Sequence, residues 1–253
     1  MPDSLYRIES LWKRFPNGTE ALRDINLELY EGQCTLIAGS NGSGKTLLMK
    51  TLVGLVEPSA GRVLYRGKPL MEVLSQVRQS VGLVFQDADA QIIGETVADD
   101  VAFGPKNLGV RGKALEIQVD EILQRLDLSS KKHMPPRRLS GGEKRRLAVA
   151  GILAMGCDTV IMDEPFANLD YHGVVQVLEL IDQLKRGKKT VIVLTHELEK
   201  VLGLADRLVI LHDGAIWDDG EAQEVLDRLK PEYGIRDPRH HYKTVEDCTW
   251  LGK

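Results

Sequence analysis

The stretch Gly39-Ser40-Asn41-Gly42-Ser43-Gly44-Lys45-Thr46 constrains this chain more than any other, because it fills every fixed position of the pattern GxxxxGK[ST]. An apolar run, Cys34-Thr-Leu-Ile-Ala38, enters it and reads as a buried strand, and Leu47, Leu48, Leu52 and Leu55 follow at helical spacing. Strand, glycine-rich loop and helix in that order make a phosphate cradle. Gly39, Gly42 and Gly44 let successive backbone N–H groups turn towards phosphate oxygens without a Cβ in the way, and the helix adds the positive end of its dipole. The motif predicts that Lys45 reaches the β and γ phosphates and that the Thr46 hydroxyl ligates Mg²⁺.

With 253 residues, 43% hydrophobic and 28% charged, the chain can bury a full core as one domain with a sizeable insertion. A net charge of −4 lacks the basic footprint of a chain that holds DNA or RNA by itself, so no nucleic-acid partner is expected. No apolar run approaches the ~20 residues that span a bilayer, and Met-Pro-Asp-Ser does not open like a signal peptide, so a cytoplasmic protein is expected. Cys34, Cys157 and Cys248 are odd in number and scattered, which favours buried thiols over a disulfide or metal site.

Leu5 to Leu11 and Ile25, Leu27 and Leu29 alternate as half-buried strands about an Asn17-Gly18 turn, giving a small antiparallel sheet ahead of the cradle. On its loop, Phe15 can stack on an adenine base or simply pack. Arg62 to Tyr65 and Ser80 to Phe85 read as further strands; Gln86, at the carboxyl end of the second, is placed to reach Mg²⁺ or an attacking water. From Asp87 to about Met134, Gly and Pro breaks precede an amphipathic helix from Lys113 to Leu126, read as a helical insertion. The basic segment Lys131 to Arg138 is a solvated link, since it has no interleaved aromatics.

Leu139-Ser140-Gly141-Gly142-Glu143 opens a helix through an S-x-x-E capping box, and the same start exposes N–H groups that can hold a γ-phosphate. Asp158 to Asp163-Glu164 is an apolar strand delivering two adjacent carboxylates, a costly pair unless a cation or a reaction needs it. Asp163 suits the Mg²⁺ shell and Glu164 can polarise a water for in-line attack. Lys189 to Leu194 is another buried strand, ending in Thr195-His196, where the histidine is either structural or a γ-phosphate contact. Asp206–Leu211 and Gly214–Trp217 read as a closing hairpin, Glu221 to Leu229 as a short helix, and the polar tail holds His240-His241, a surface pair rather than a metal site.

Taken in order, GSNGSGKT, Gln86, LSGGE, VIMDEP, Asn168-Leu169-Asp170 and His196 resemble the ATP-binding-cassette ATPases over residues from about 5 to 228. Val84-Phe85-Gln86-Asp87, Gln91, Thr96-Val97, Asp100-Val101, Pro105 and Asn107-Leu108-Gly109 resemble the energy-coupling-factor subgroup, which drives uptake of cobalt, nickel and vitamins. The resemblance implies an α/β fold: a P-loop NTPase core of mainly parallel sheet flanked by helices, an N-terminal antiparallel β subdomain and a helical insertion at about 87–138. The domain spans 1–230, with a short polar tail at 231–253. It also implies an ATPase on the cytoplasmic face of the membrane, with ATP and Mg²⁺ as cofactors and a second cassette chain and transmembrane subunits as partners. Residues 39–46, Gln86, Asp163, Glu164 and His196 would act in cis, Ser140, Gly141 and Gly142 would serve the opposite site, and Asp170 would lie at the dimer seam. Leu47 and Phe15 depart from the family pattern, where a hydroxyl residue and a tyrosine are usual; weaker ATP binding is expected from the first. The rival readings are an importer fed by a binding protein, an exporter, a soluble ATP-gated clamp, and a degenerate partner cassette.

Overall fold

A computed structural model describes residues 3–239; Cys248 and the pair His240-His241 lie outside the described residues. The chain begins with β1 (Ser4–Arg14) and β2 (Glu20–Tyr30), antiparallel strands with Tyr6 facing Leu29 and Ile8 facing Leu27. Their connection turns at Gly18, which has a φ of 84°, while the Asn17 side chain accepts from the Thr19 N–H. β3 (Cys34–Ala38) and α1 (Lys45–Leu52) follow, then β4 (Ala60–Tyr65) and β5 (Lys68–Pro69), which complete a four-stranded sheet in the order β2-β1-β4-β5.

Next come α2 (Leu74–Ser80), β6 (Val81–Val84), α3 (Val97–Asn107), α4 (Gly112–Arg125), α5 (Gly141–Ala154) and β7 (Thr159–Asp163). α6 (Tyr171–Arg186), β8 (Thr190–Thr195), α7 (Leu198–Val201), β9 (Arg207–His212), β10 (Ala215–Glu221) and α8 (Ala222–Asp227) close the described chain. The second sheet runs β10-β9-β3-β8-β7-β6, parallel throughout except for β10, an antiparallel edge.

This sheet is covered on both faces, which is why its strands read as unbroken apolar runs. Alternate residues of each strand serve opposite layers. Leu36, Val160, Val191, Val193 and Leu208 join the cluster under α3, α4, α5 and α6. Ile37, Ile161, Ile192, Leu194 and Val209 join the cluster shared with β1, β2, β4 and α1. The antiparallel sheet therefore lies on one face and the helical segment on the other.

Three boundaries differ from the periodicity. α1 stops at Leu52, because Gly54 takes a φ of 67°, and Leu55 is left 55% exposed instead of continuing the apolar stripe. α8 ends at Asp227, two residues before Leu229. Within 87–112, where Gly and Pro suggest only breaks, α3 runs through Pro105 on a Thr96 cap. Packing of α3 on α5 outweighs the proline: a Cβ on Gly104 would lie 2.3 Å from Met155 Cγ, so the glycine permits the close approach.

Candidate functional site

The cradle at 39–46 is wedged between β3 and the β9–β10 turn. A Cβ on Gly39 would stand 2.2 Å from the Leu211 carbonyl oxygen and 2.6 Å from Ser43 Oγ, so only glycine fits there. Gly214 N–H donates to the Ser43 carbonyl at 3.0 Å, and Arg23 on β2 donates through Nε to the Asp213 carbonyl at 2.8 Å, bracing that turn from the antiparallel sheet. Gly44, with a φ of 106°, opens α1.

Lys45 is buried, and its Nζ donates to the carbonyls of Gly39 at 2.7 Å and Ser40 at 3.2 Å. The same Nζ lies 3.2 Å from Glu164 Oε1, an ion pair without hydrogen-bond alignment. Thr46 Oγ1 donates to Asp163 Oδ2 at 2.7 Å, so the last residue of β7 meets the first turn of α1. Glu164 Oε2 accepts from Thr195 Oγ1 at 3.0 Å and lies 3.0 Å from His196 Nδ1, joining the ends of β7 and β8. Glu164 holds a φ of 45°, a left-handed conformation that costs a non-glycine residue about 1–3 kcal/mol and aims its carboxylate back along the strand ends.

Burial pushes the Asp163 carboxyl above the usual carboxylate range, and the Thr46 hydrogen bond only partly offsets it. Burial also pushes Glu164 up, but the His196 hydrogen bond and the Lys45 charge together outweigh it and hold this carboxyl below its ordinary value. Glu164 therefore stays ionised where Asp163 is reluctant to. Asp163 Oδ1 is buried with no hydrogen-bond partner, on the carboxylate that accepts from Thr46, and Thr46 itself lines a cavity. An unsatisfied carboxylate oxygen next to a hydroxyl is an all-oxygen donor set of the kind Mg²⁺ prefers, so the residues present fit that ion.

A cavity of about 460 Å³ opens over these groups, lined by Phe15, Asn41, Gly42, Gly44, Lys45, Thr46, Gln86 and Glu164. Phe15, 41% exposed, forms its rim. His196 reaches this group through Glu164 and is itself largely exposed.

Ser140, Gly141 and Gly142 are not brought to that cavity. They start α5 elsewhere on the surface, with both halves of the capping box formed: Glu143 N–H to Ser140 Oγ at 3.3 Å, and Ser140 N–H to Glu143 Oε2 at 2.8 Å. Asp170 caps α6, accepting from the Gly173 N–H at 2.8 Å.

Sequence reasoning misses three residues here. Thr195 supplies a buried hydroxyl to Glu164, though its place beside His196 at the end of an apolar run was the available signal. Lys50 lines the cavity from the helix face it shares with Thr46, four residues earlier, and its charge is felt at Asp163. Arg145 holds the Gln86 loop from behind, and no local pattern marks it.

A parallel sheet with a glycine-rich loop between its strand β3 and helix α1, and two carboxylates at the end of β7, one strand removed from β3 across β8, defines a P-loop nucleotide-binding protein. The family model described as ABC transporter matches residues 22–167. The chain is 39% identical over 227 residues to the energy-coupling factor transporter ATP-binding protein EcfA of Methanocaldococcus jannaschii, covering 88% of this chain and 81% of that one. It is 40% identical over 227 residues to EcfA2 of Methanospirillum hungatei JF-1, covering 88% of this chain and 57% of that longer one. Among solved structures, cbiO1 from Clostridium perfringens, part of the ABC transporter complex cbiONQ, superposes with a TM-score of 0.83 at 34% identity, covering 89% of this chain and 91% of the other. The chain belongs to the ABC transporter family, as an ATP-binding member of it.

Proposed function

We propose that the chain is the ATP-hydrolysing subunit of an energy-coupling-factor transporter, driving uptake of a metal ion or vitamin from the cytoplasmic face of the membrane. The observation that carries it is the convergence of Lys45, Thr46 and Glu164 on one cavity, with Asp163 hydrogen-bonded to Thr46 behind it, in a chain similar along most of its length to EcfA and cbiO1. Among the described residues no helix is long and apolar enough to cross a membrane, so the channel would come from other subunits.

ATP would lie with its base against Phe15 and its phosphates in the backbone cradle 39–46, with Ser40, Asn41 and Ser43 completing the loop. Thr46, Asp163 and Gln86 would hold Mg²⁺, which supplies charge neutralisation of the β and γ oxygens. Lys45 leaves Glu164 for the phosphates when ATP arrives, so Glu164 loses its cation and becomes the better base just when the substrate is present. Glu164 then orients and deprotonates the attacking water, with Thr195 and His196 fixing its Oε2; His196 also faces the γ-phosphate. Ser140, Gly141 and Gly142, outside the lining of the chain's own cavity, would close over the nucleotide of a second cassette chain packed head to tail, with Asp170 at the seam. Closure and reopening of that pair would move the transmembrane subunits through the surface beyond Gln86.

The test is mild detergent extraction of a tagged copy from its native membrane, with mass spectrometry of what travels with it. A transmembrane scaffold, a small substrate-binding membrane subunit and a cassette partner are expected. Recovery of soluble partners alone would move the assignment to an ATP-gated clamp.

A further inference from the structure

Arg145 lies within α5, one turn past the capping box, and is almost fully buried at 4% exposure. Its guanidinium makes no ion pair among the described residues; each of its hydrogen bonds goes to a main-chain carbonyl. Nη1 donates to Phe85 at 3.0 Å, and Nη2 donates to Gln86 at 2.8 Å and to Ala167 at 3.2 Å. Asp87 adds a favourable field from the same loop as Gln86. Burying a cation without a paired anion is costly, and a long apolar side chain would fill the space more cheaply. What an apolar side chain lacks is the flat fork that can hold two separate loops at once.

Those two loops belong to this chain's own nucleotide site. Gln86 lines the cavity, and Ala167 sits in the turn between Glu164 and Asp170, with its N–H donating to the Glu164 carbonyl at 3.1 Å. The helix that carries Arg145 presents Ser140, Gly141 and Gly142 at its start, and a Cβ on Gly141 would lie 2.7 Å from Leu169 Cδ2 in the same turn. One side chain thus fastens the loop carrying Gln86 and the turn that follows Glu164 to the first turns of α5.

We propose that Arg145 is a positioning residue that couples the nucleotide site of this chain to the site it completes on its partner. The inference rests on the shared-site dimer above. When Gln86 and the turn after Glu164 adjust to ATP, Arg145 carries α5 with them, so the Ser140–Gly142 surface reaches its closing position only when the home site is filled. The two sites then fire together.

The experiment compares wild type, Arg145→Met and Arg145→Lys for ATP affinity of the dilute monomer, steady-state ATPase against ATP, and the Hill coefficient. In R145M, ATP affinity should stay within about threefold of wild type, kcat should fall at least about tenfold, and the Hill coefficient should drop from near two to about one. R145M with wild-type kcat and cooperativity would overturn the proposal. If R145M does not fold, R145K, which keeps the charge but loses the planar fork, decides: the same losses at smaller size support the tie, and unchanged kcat and cooperativity refute it. Hydrogen exchange on the wild type needs no substitution. ATP should slow exchange at 85–87, 141–144 and 166–169 together, and slowing at 85–87 alone would refute the coupling. A wild type with no cooperativity and activity independent of protein concentration would instead sink the shared-site reading, leaving the exchange result to judge the tie.

Discussion

Glu164, the base of the proposed reaction, has its carboxylate held from one side by Lys45 and from the other by Thr195 and His196. Glu164→Gln keeps the shape and loses the base, so turnover should fall by about 10²-fold or more while ATP still binds. Wild-type turnover in that variant, measured by phosphate release, would remove Glu164 from the reaction. Leu47 raises the opposite expectation. It lines the cavity where a hydroxyl would offer a hydrogen bond to the α-phosphate, and one such bond contributes about 0.5–1.5 kcal/mol. Leu47→Thr should therefore tighten ATP binding about two- to tenfold, read by equilibrium titration, and unchanged or weaker binding would mean that the position does not face phosphate. Gly39 tolerates no side chain at all: Gly39→Ala should displace the loop against the Leu211 carbonyl and weaken ATP binding, with a drop in Tm. Normal affinity and Tm in that variant would show that the loop yields freely.

At the scale of elements, α5 depends on its first turn. Glu143 closes the capping box and pairs with Lys131. Burial pushes its carboxyl up, but the Lys131 hydrogen bond and the Ser140 N–H outweigh that and hold it below the usual value. A lowered folded value means that Glu143 stabilises above the unfolded carboxylate range and that the contribution is lost as pH falls through the lowered value. Glu143→Ala should cost about 0.5–2 kcal/mol in denaturant melts at pH 7, and the gap to wild type should close as pH falls below the ordinary carboxylate range. A gap independent of pH would show that the carboxylate is not the cap. Such local chemistry is legible in the sequence because capping box, cradle and buried strands each occupy a few adjacent residues. α6 was equally within reach, with Val177, Leu180, Ile181 and Leu184 buried at helical spacing behind an Asp170 cap. α3 was hidden by Pro105 and by a contact with α5 that no local window contains. The same holds for Thr195 on Glu164 and Arg145 on the Gln86 loop, which join residues 31 and 59 apart in sequence.

The whole molecule leaves its chemistry divided. The cavity gathers Lys45, Thr46 and Glu164, with Asp163 bonded to Thr46, while Ser140, Gly141 and Gly142 lie outside its lining at the start of α5. On the proposed reading a single chain binds nucleotide in that cavity, and the N–H groups that would close the far side of the γ-phosphate come from the start of α5 in a second chain. Activity should accordingly follow the dimer and not the monomer. Specific ATPase activity of the purified chain, at saturating ATP and Mg²⁺, should rise with protein concentration and level off as pairs form. Glu164→Gln, unable to reopen by hydrolysis, should run as a dimer on gel filtration in ATP and as a monomer without it. Flat specific activity across a monomeric concentration range, together with a monomeric E164Q in ATP, would contradict the shared site. In that case Ser140–Gly142 would serve only as the cap of a helix, and the power stroke would have to arise within one chain.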